Sequence, residues 1–419
     1  MANQQRHAAD VSRSHNVIKV SGILSGTTGG YGILSALHHA VDSAGHKQLY
    51  LNLSRCEAAF CSAVLPICSQ AMYLRNSGVE IELALPDAPA LARLFVNTNW
   101  ASLIDPKNHP SSTHRRPNAI PATCYTTSKE QTLIVNKVLS VILGTVEDID
   151  RDNLAALEWS LNEITDNVLV HSESAIGGLV EVNLYPKVGS VEFLVCDAGL
   201  GIPNTLRSSF KDFTDVDALD RAIREGVTRD ETLGRGNGLY GTSQVCRISN
   251  GEFAIASGHA SLGYKDAALI VKHQAIPFHG ALIMAKIGYK EKGLLERALV
   301  FEDGKYKPVD FIETSYEGSE EDVVNFNVLQ ESESFGTRPA GLVVRKKLMN
   351  FLRMAPHSKI RVSFEGISVI SSSYADEVFG KMFAALGPTF FNNRIELIRM
   401  NRTVKLLIDK AIRERTSGI

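Results

Sequence analysis

Apolar residues recur along this chain with two periods, about 3.6 and about 2, and the switches between them mark out its elements. Residues 16–24 (NVIKVSGIL) predict a strand, residues 25–32 (SGTTGGYG) a glycine-rich turn, and the following ILSALHHAVDSAG a helix. A short strand at 49–53, a helix at 61–75, a strand at 79–85 and a helix at 88–97 complete an α/β block. Pro106, Pro110, Pro117 and Pro121 then interrupt the pattern, so 106–130 reads as a linker and the first domain boundary.

Helical spacing returns at 131–143 and 153–171. Period two follows: Val180, Val182 and Leu184 against Glu181 and Asn183, then Val191, Phe193 and Val195 against Glu192 and Leu194. Further strand-like segments lie at Phe253 and Ile255, at Leu269 and Val271, and at 282–287. Helices followed by short alternating strands predict an α+β layer, a mixed or antiparallel sheet with helices over one face. Residues 289–322 read as a charged, solvated connector with an acidic run at 317–322. Beyond it the α/β rhythm resumes, with strands at 323–328, 359–364 and 395–399 and helices at 340–353, 374–386 and 403–412.

Composition narrows the class. Of 419 residues, 44% are hydrophobic and 21% charged, a globular balance long enough for roughly two to four domains. The formal net charge of −2 argues against bulk electrostatic binding to nucleic acid or membrane. No apolar run approaches the roughly 18 residues of a membrane span, and MANQQRHAADVSRSH has no secretory apolar segment; a cytoplasmic location is expected. Cys56, Cys61, Cys68, Cys124, Cys196 and Cys246 form no CxxC pair or Cys/His array and are expected as free thiols.

The candidate chemistry centres on residues 161–172, LNEITDNVLVHS. Glu163, Asn167 and His171 recur every fourth residue and spread over only about 80° of a helix, an acid, an amide and an imidazole in one stripe. Leu161, Ile164, Val168 and Leu169 supply the apolar face beside it. The strand at 191–195 runs into Asp197-Ala198-Gly199-Leu200-Gly201, where two glycines permit a tight turn and the Asp197 carboxylate suits the exocyclic amine of an adenine. Residues 233–241, LGRGNGLYG, place Gly234, Gly236, Gly238 and Gly241 in a loop whose N–H groups can cradle phosphates before a helix opens. The earlier SGTTGGYG has neither GK[ST] nor GxGxxG and reads as a flexible connection.

ExxxNxxxH, then DxGxG, then GxGxG, in that order over residues 131–288, resembles the GHKL ATP-binding fold. That fold is shared by DNA gyrase B, Hsp-type chaperones, sensor histidine kinases, MutL proteins and anti-sigma-factor serine kinases. The resemblance implies a central α/β sandwich, a mixed sheet covered by helices on one face, that binds ATP and Mg²⁺. It implies Asn167 as the Mg²⁺ ligand and Asp197 as the acceptor of the adenine amine. Gly199 and Gly201 would shape the base pocket, and Gly234, Arg235, Gly236 and Gly238 would belong to the lid over the phosphates. Glu163 would be the general base and His171 would line the triphosphate end, with Asp166 solvent-facing or behind them. One position departs from the family: His279-Gly280-Ala281 stands where a Gly-Thr pair is common, leaving Thr228, Thr232 or Thr242 to supply the missing hydroxyl.

The flanks at 1–105 and 323–419 resemble small STAS-like α/β domains. The first carries LYLNLSRCEAAF, Cys61-Ser62-Ala63 and NSGVEIELALPDAPALARLFVNTNW; the second carries Phe335-Gly336-Thr337-Arg338, residues 362–366 and residues 370–377. In that family a phosphorylatable Ser begins a helix. Ser62, in Phe60-Cys61-Ser62-Ala63 where Asp-Ser-Ser-Gly would be expected, reads first as a helix-start residue satisfying a backbone donor and second as a phosphosite. Ser371, Ser372 and Ser373 read as a helix cap, or as acceptors whose phosphate would gain from the helix dipole and clash with Asp376 and Glu377.

Together these resemblances imply an ATPase or serine/threonine kinase of partner-switching type acting on STAS-like domains, with STAS-like or sigma/anti-sigma type partners. The alternative is an ATP-gated conformational or homodimerisation switch with little turnover. Membrane and nucleic acid are not expected partners.

Overall fold

The computed structural model describes residues 9–114, 116–207, 212–224, 238–265, 268–301, 304–305, 310–318 and 322–416. It divides into two units, one of residues 1–135 and 159–305, the other of residues 136–158 and 306–419. All six cysteines are free thiols.

In the first unit, β1 (Asp10–Ser14) and β2 (Val17–Leu24) pair antiparallel, while β2, β3 (Gln48–Ala59) and β4 (Glu80–Ala84) run parallel, in the order β1-β2-β3-β4. Parallel neighbours need crossovers, and α1 (Gly26–His38) and α2 (Cys61–Asn76) supply them. α3 (Pro89–Asn97) and α4 (Trp100–Ile104) follow β4. Residues 25–32, expected as a flexible turn, are instead the start of α1. Close packing explains Gly30: a Cβ there would overlap the Ala63 carbonyl of α2, and Ile33, Leu34 and Leu37 are buried. Ser62 does not cap α2, because the N-cap position is Phe60 and Ser62 is already the second helical residue.

The unit's second sheet contains β5 (Ala119–Tyr125), β6 (Gly178–Tyr185), β7 (Ser190–Asp197), β8 (Glu252–Lys265) and β9 (Ala268–Gly288) in the order β5-β6-β7-β9-β8. Every pairing is antiparallel, so the mixed option is not realised. β5 falls inside the stretch expected as linker; Pro121 is tolerated because β5 is an edge strand and the register slips between Ile120 and Thr123. The associated helices are α5 (Ser128–Thr145), α6 (Arg151–His171), α7 (Ile202–Arg207), α8 (Asp215–Ala222), α9 (Gly238–Ile248) and α10 (Leu294–Ala298).

The register puts Val180, Val195, Ile283 and Ile255 in one cross-strand row and Val182, Phe193, Ala285 and Phe253 in the next, all buried. α9 lies on β8 and β9 and meets α6, where Gly241 abuts the Trp159 ring. The alternate rows, Leu179, Cys196, Leu282 and Ala256, are buried too, in one core with Ile18, Leu51, Val64, Ile67 and Phe95 of the N-terminal layer. Helices over one face were expected; both faces are covered. The consequence falls on Glu181, on the polar side of the β6 alternation: it is only 2% exposed and accepts the Trp100 indole N–H at 2.8 Å.

The second unit holds β12 (Val323–Asn327), β13 (Lys359–Ser363) and β14 (Ile395–Ile398), parallel and in that order; the preceding β10 (Val300–Phe301) and β11 (Gly304–Lys305) form a short hairpin in the first unit. Around the parallel strands lie α11 (Phe311–Ser315), α12 (Val328–Glu331), α13 (Arg338–Met354), α14 (Ser372–Ala375), α15 (Lys381–Leu386), α16 (Pro388–Arg394) and α17 (Arg402–Thr416). Residues 136–158 pack within this unit. Asn350 donates to the carbonyls of Leu143 (2.9 Å) and Val146 (2.8 Å), and Lys347 reaches Ser140 Oγ (2.8 Å) and Glu331 (2.7 Å). Glu317, expected in a solvated connector, instead takes a two-pronged bond from Arg151 (2.7 and 2.9 Å), which also pairs with Asp310.

Candidate functional site

The Glu163, Asn167 and His171 stripe lies on the part of α6 that belongs to the first unit, and all three side chains are half-buried. Asp166 is exposed, as its place on the helix dictates. α6 is held from behind by Tyr125, whose hydroxyl donates to the Thr165 carbonyl (3.0 Å), and by Gln131, which donates to Thr165 Oγ1 (2.9 Å).

Two walls meet this stripe. At its start, Gly238 opens α9 so close to Glu163 that a Cβ there would stand 2.5 Å from Glu163 Oε2. At its end, Ser172 meets the turn after β7: the Leu200 N–H donates to the Ser172 carbonyl (2.7 Å), and a Cβ on Gly199 would overlap that carbonyl. Glu163 and Ser172 are nine residues apart, so the two walls stand about 13 Å from one another along the helix.

Asp197 ends β7 only 3% exposed, its Oδ1 accepting the Gly199 N–H at 2.8 Å. Burial raises its carboxyl to about 6, opposed by the N–H groups of Gly199 and Ala281. Burial also raises Glu163 to about 7, with the negative Asp166 adding to it. One carboxyl thus titrates near neutrality beside a helix N-terminus while the other is held by backbone donors.

Ala281 offers a backbone N–H to Asp197 and has no hydroxyl of its own. Of the three possible substitutes, Thr242 is fully buried with no hydrogen-bond partner for its hydroxyl among the described residues, and Thr228 and Thr232 lie outside them. Gly234, Arg235 and Gly236 also lie outside them. Sequence reading missed Ser257: its hydroxyl donates to the Gly280 carbonyl (2.5 Å) and accepts the Ile202 N–H (3.0 Å), and a Cβ on Gly201 would stand 2.6 Å from it. Nothing local in the strand sequence marks that serine. Ser172 ends the stretch 161–172, but its contribution is a carbonyl, which any residue carries.

Among the described residues no cluster of three or more His, Cys, Asp or Glu is arranged to hold a metal, and no helix is long and apolar enough to cross a membrane. In the second unit Ser371 caps α14, accepting the Tyr374 N–H (3.0 Å), with its Oγ 2.9 Å from Ser373 Oγ, while Ser372 is exposed. Asp376 pairs with Arg338 and Arg415, and Glu377 with Arg345 and Lys381.

Residues 341–405 match the family described as STAS-like domain of unknown function (DUF4325). Within the C-terminal part of this chain, residues 341–405 are thus similar to a STAS-like domain. The match runs from α13 into α17 and takes in the serines that cap and open α14. No curated protein and no solved structure matches the chain.

Proposed function

We propose that the first unit is a GHKL-type Mg·ATP site and that the chain is an ATPase or protein serine kinase directed at STAS-like domains. The observation that carries this reading is one helix face bearing Glu163, Asn167 and His171, with the Asp197 turn at one end and the start of α9 at the other. Base recognition falls to Asp197, whose buried carboxylate retains acceptor capacity beyond the backbone donors it already meets. The phosphate end falls to the N–H groups opening α9, where Gly238 leaves room no side chain would.

Donor chemistry fits Mg²⁺, which Asn167 would help to hold together with phosphate oxygens, with no all-protein cage needed. When bound, the ion would offset the charge on the phosphates. Glu163, titrating at about 7, would take the proton from the attacking water or serine hydroxyl. Of the three serines opening α14, Ser372 is free to receive phosphate, since Ser371 is engaged as the cap. The clash with Asp376 and Glu377 expected there is weakened, because both acids already face arginine or lysine.

Incubation with γ-labelled ATP separates the readings. Label on the protein or on a STAS-like partner supports kinase, free phosphate supports ATPase, and ATP binding without either supports the nucleotide-gated switch. Glu163→Ala is expected to abolish turnover yet keep ATP binding, and Asn167→Ala to lose its Mg²⁺-dependent part. Normal turnover by Glu163→Ala refutes the general-base role.

A further inference from the structure

The turn that presents Asp197 is braced by strands that are themselves irregular. The β8–β9 ladder slips register between Ser257 and Ala260, and Gly258 and Gly280 both take left-handed φ, +57° and +88°. β9 also has no β7 partner before Leu282, so residues 276–281 are held by neither ladder in the regular way. Such a bulge frees backbone groups that need other partners.

The N-terminal layer supplies them. The Tyr31 hydroxyl of α1 donates to the Ile276 carbonyl at 3.0 Å and lies 3.5 Å from the Gly258 carbonyl, one residue from each strand at the slip. Tyr73 of α2 stacks on His279, ring centroids 5.5 Å apart and planes 18° from parallel. The next two residues, Gly280 and Ala281, close the base end: Gly280 packs against the Asp197 backbone, and the Ala281 N–H reaches its carboxylate. On the far side Asp215 of α8 accepts the His259 N–H at 2.6 Å.

We infer that Tyr31 and Tyr73 are positioning residues for the base end of the nucleotide site, holding residues 276–281 so that Asp197 is aimed at an exocyclic amine. The N-terminal layer thereby becomes part of what makes the site select adenine. This inference rests on the nucleotide reading above, and its test separates the two.

The full chain is titrated calorimetrically with ATP, with inosine triphosphate, which carries an oxygen in place of the amine, and with tripolyphosphate. Wild type is expected to favour ATP over inosine triphosphate by roughly tenfold, the scale of one hydrogen bond to a charged acceptor. Tyr31→Phe, which removes only the hydroxyl, and Tyr73→Ala are expected to cut that preference by about threefold or more, with tripolyphosphate affinity unchanged. Tyr73→Phe, which keeps the stack, is expected to retain it. An unchanged ATP preference in Tyr31→Phe and Tyr73→Ala overturns the inference, as does equal weakening of all three ligands, which would mark the tyrosines as structural only. Wild type that binds ATP and inosine triphosphate alike, or neither, refutes the adenine role of Asp197 itself.

Discussion

Glu181 offers a sharp test of how the first unit is layered. Burial between β6 and the N-terminal layer raises its carboxyl from an ordinary 4.5 to about 8. At pH 7 the folded chain therefore holds a proton on Glu181 that the unfolded chain has released. The folded state binds the extra proton, so the penalty is absent below pH 4.5, grows with rising pH and levels off above 8. Ionisation in the unfolded state spans 2.5 pH units between 4.5 and 7 at about 1.4 kcal/mol each, a penalty of about 3 kcal/mol. Glu181→Gln removes the titration while its amide oxygen still accepts the Trp100 N–H. The variant is expected to be more stable than wild type by about 3 kcal/mol at pH 7, shrinking to under about 1 kcal/mol at pH 5. Urea unfolding followed by tryptophan fluorescence measures this, because Trp100 and Trp159 both belong to the first unit. A difference independent of pH, or a variant less stable at pH 7, refutes the buried, proton-holding Glu181.

Four other outcomes are expected. Glu163→Gln should lower kcat by about 10²–10⁴ in the γ-phosphate release or transfer assay, and wild-type kcat/KM should fall as pH drops below about 7. ATP affinity should weaken about tenfold per pH unit below about 6, where Asp197 takes up its proton, and calorimetry of Asp197→Asn should show that dependence abolished. Gly280→Ala forces a side chain onto φ +88° and into the Asp197 carbonyl, so it should cost at least about 1–3 kcal/mol by thermal melting. Lys347→Met removes the only ammonium paired with Glu331 among the described residues, leaving its largely buried carboxylate the Tyr316 hydroxyl (2.9 Å), and should cost about 3–5 kcal/mol in the same measurement.

Much of this was legible beforehand. The helix at 153–171, the strands at 180–184 and 191–195 and the helix at 61–75 each agree with the structure to within a few residues, as do the three strands of the STAS-like region. Periodicity worked there because each element buries a face of its own, and a buried face shows in the spacing of apolar residues. It failed at residues 25–32 and 119–125, where a glycine run forms helix, with Gly30 set close against α2, and a proline-bearing segment forms an edge strand. The candidate site was legible only as far as the side chains that share one helix face. Ser257, the Ser172 carbonyl and the Ala281 N–H contribute through position or backbone, which leaves no trace in residue type.

By itself, then, the sequence determined the stripe of Glu163, Asn167 and His171, since helical spacing alone puts them on one side of α6. It also determined the alternation that places Glu181 opposite Val180 and Val182 on β6. Only the tertiary structure decided that the polar side of that strand is covered, because what lies over a face depends on a distant layer, whose Trp100 stands 81 residues from Glu181 in the chain. The same long-range packing brings the Asp197 turn to Ser172, Gly238 to Glu163 and two tyrosines of the N-terminal layer to the strands behind Asp197. Local spacing selects the face of an element, and contact between distant segments selects what that face meets.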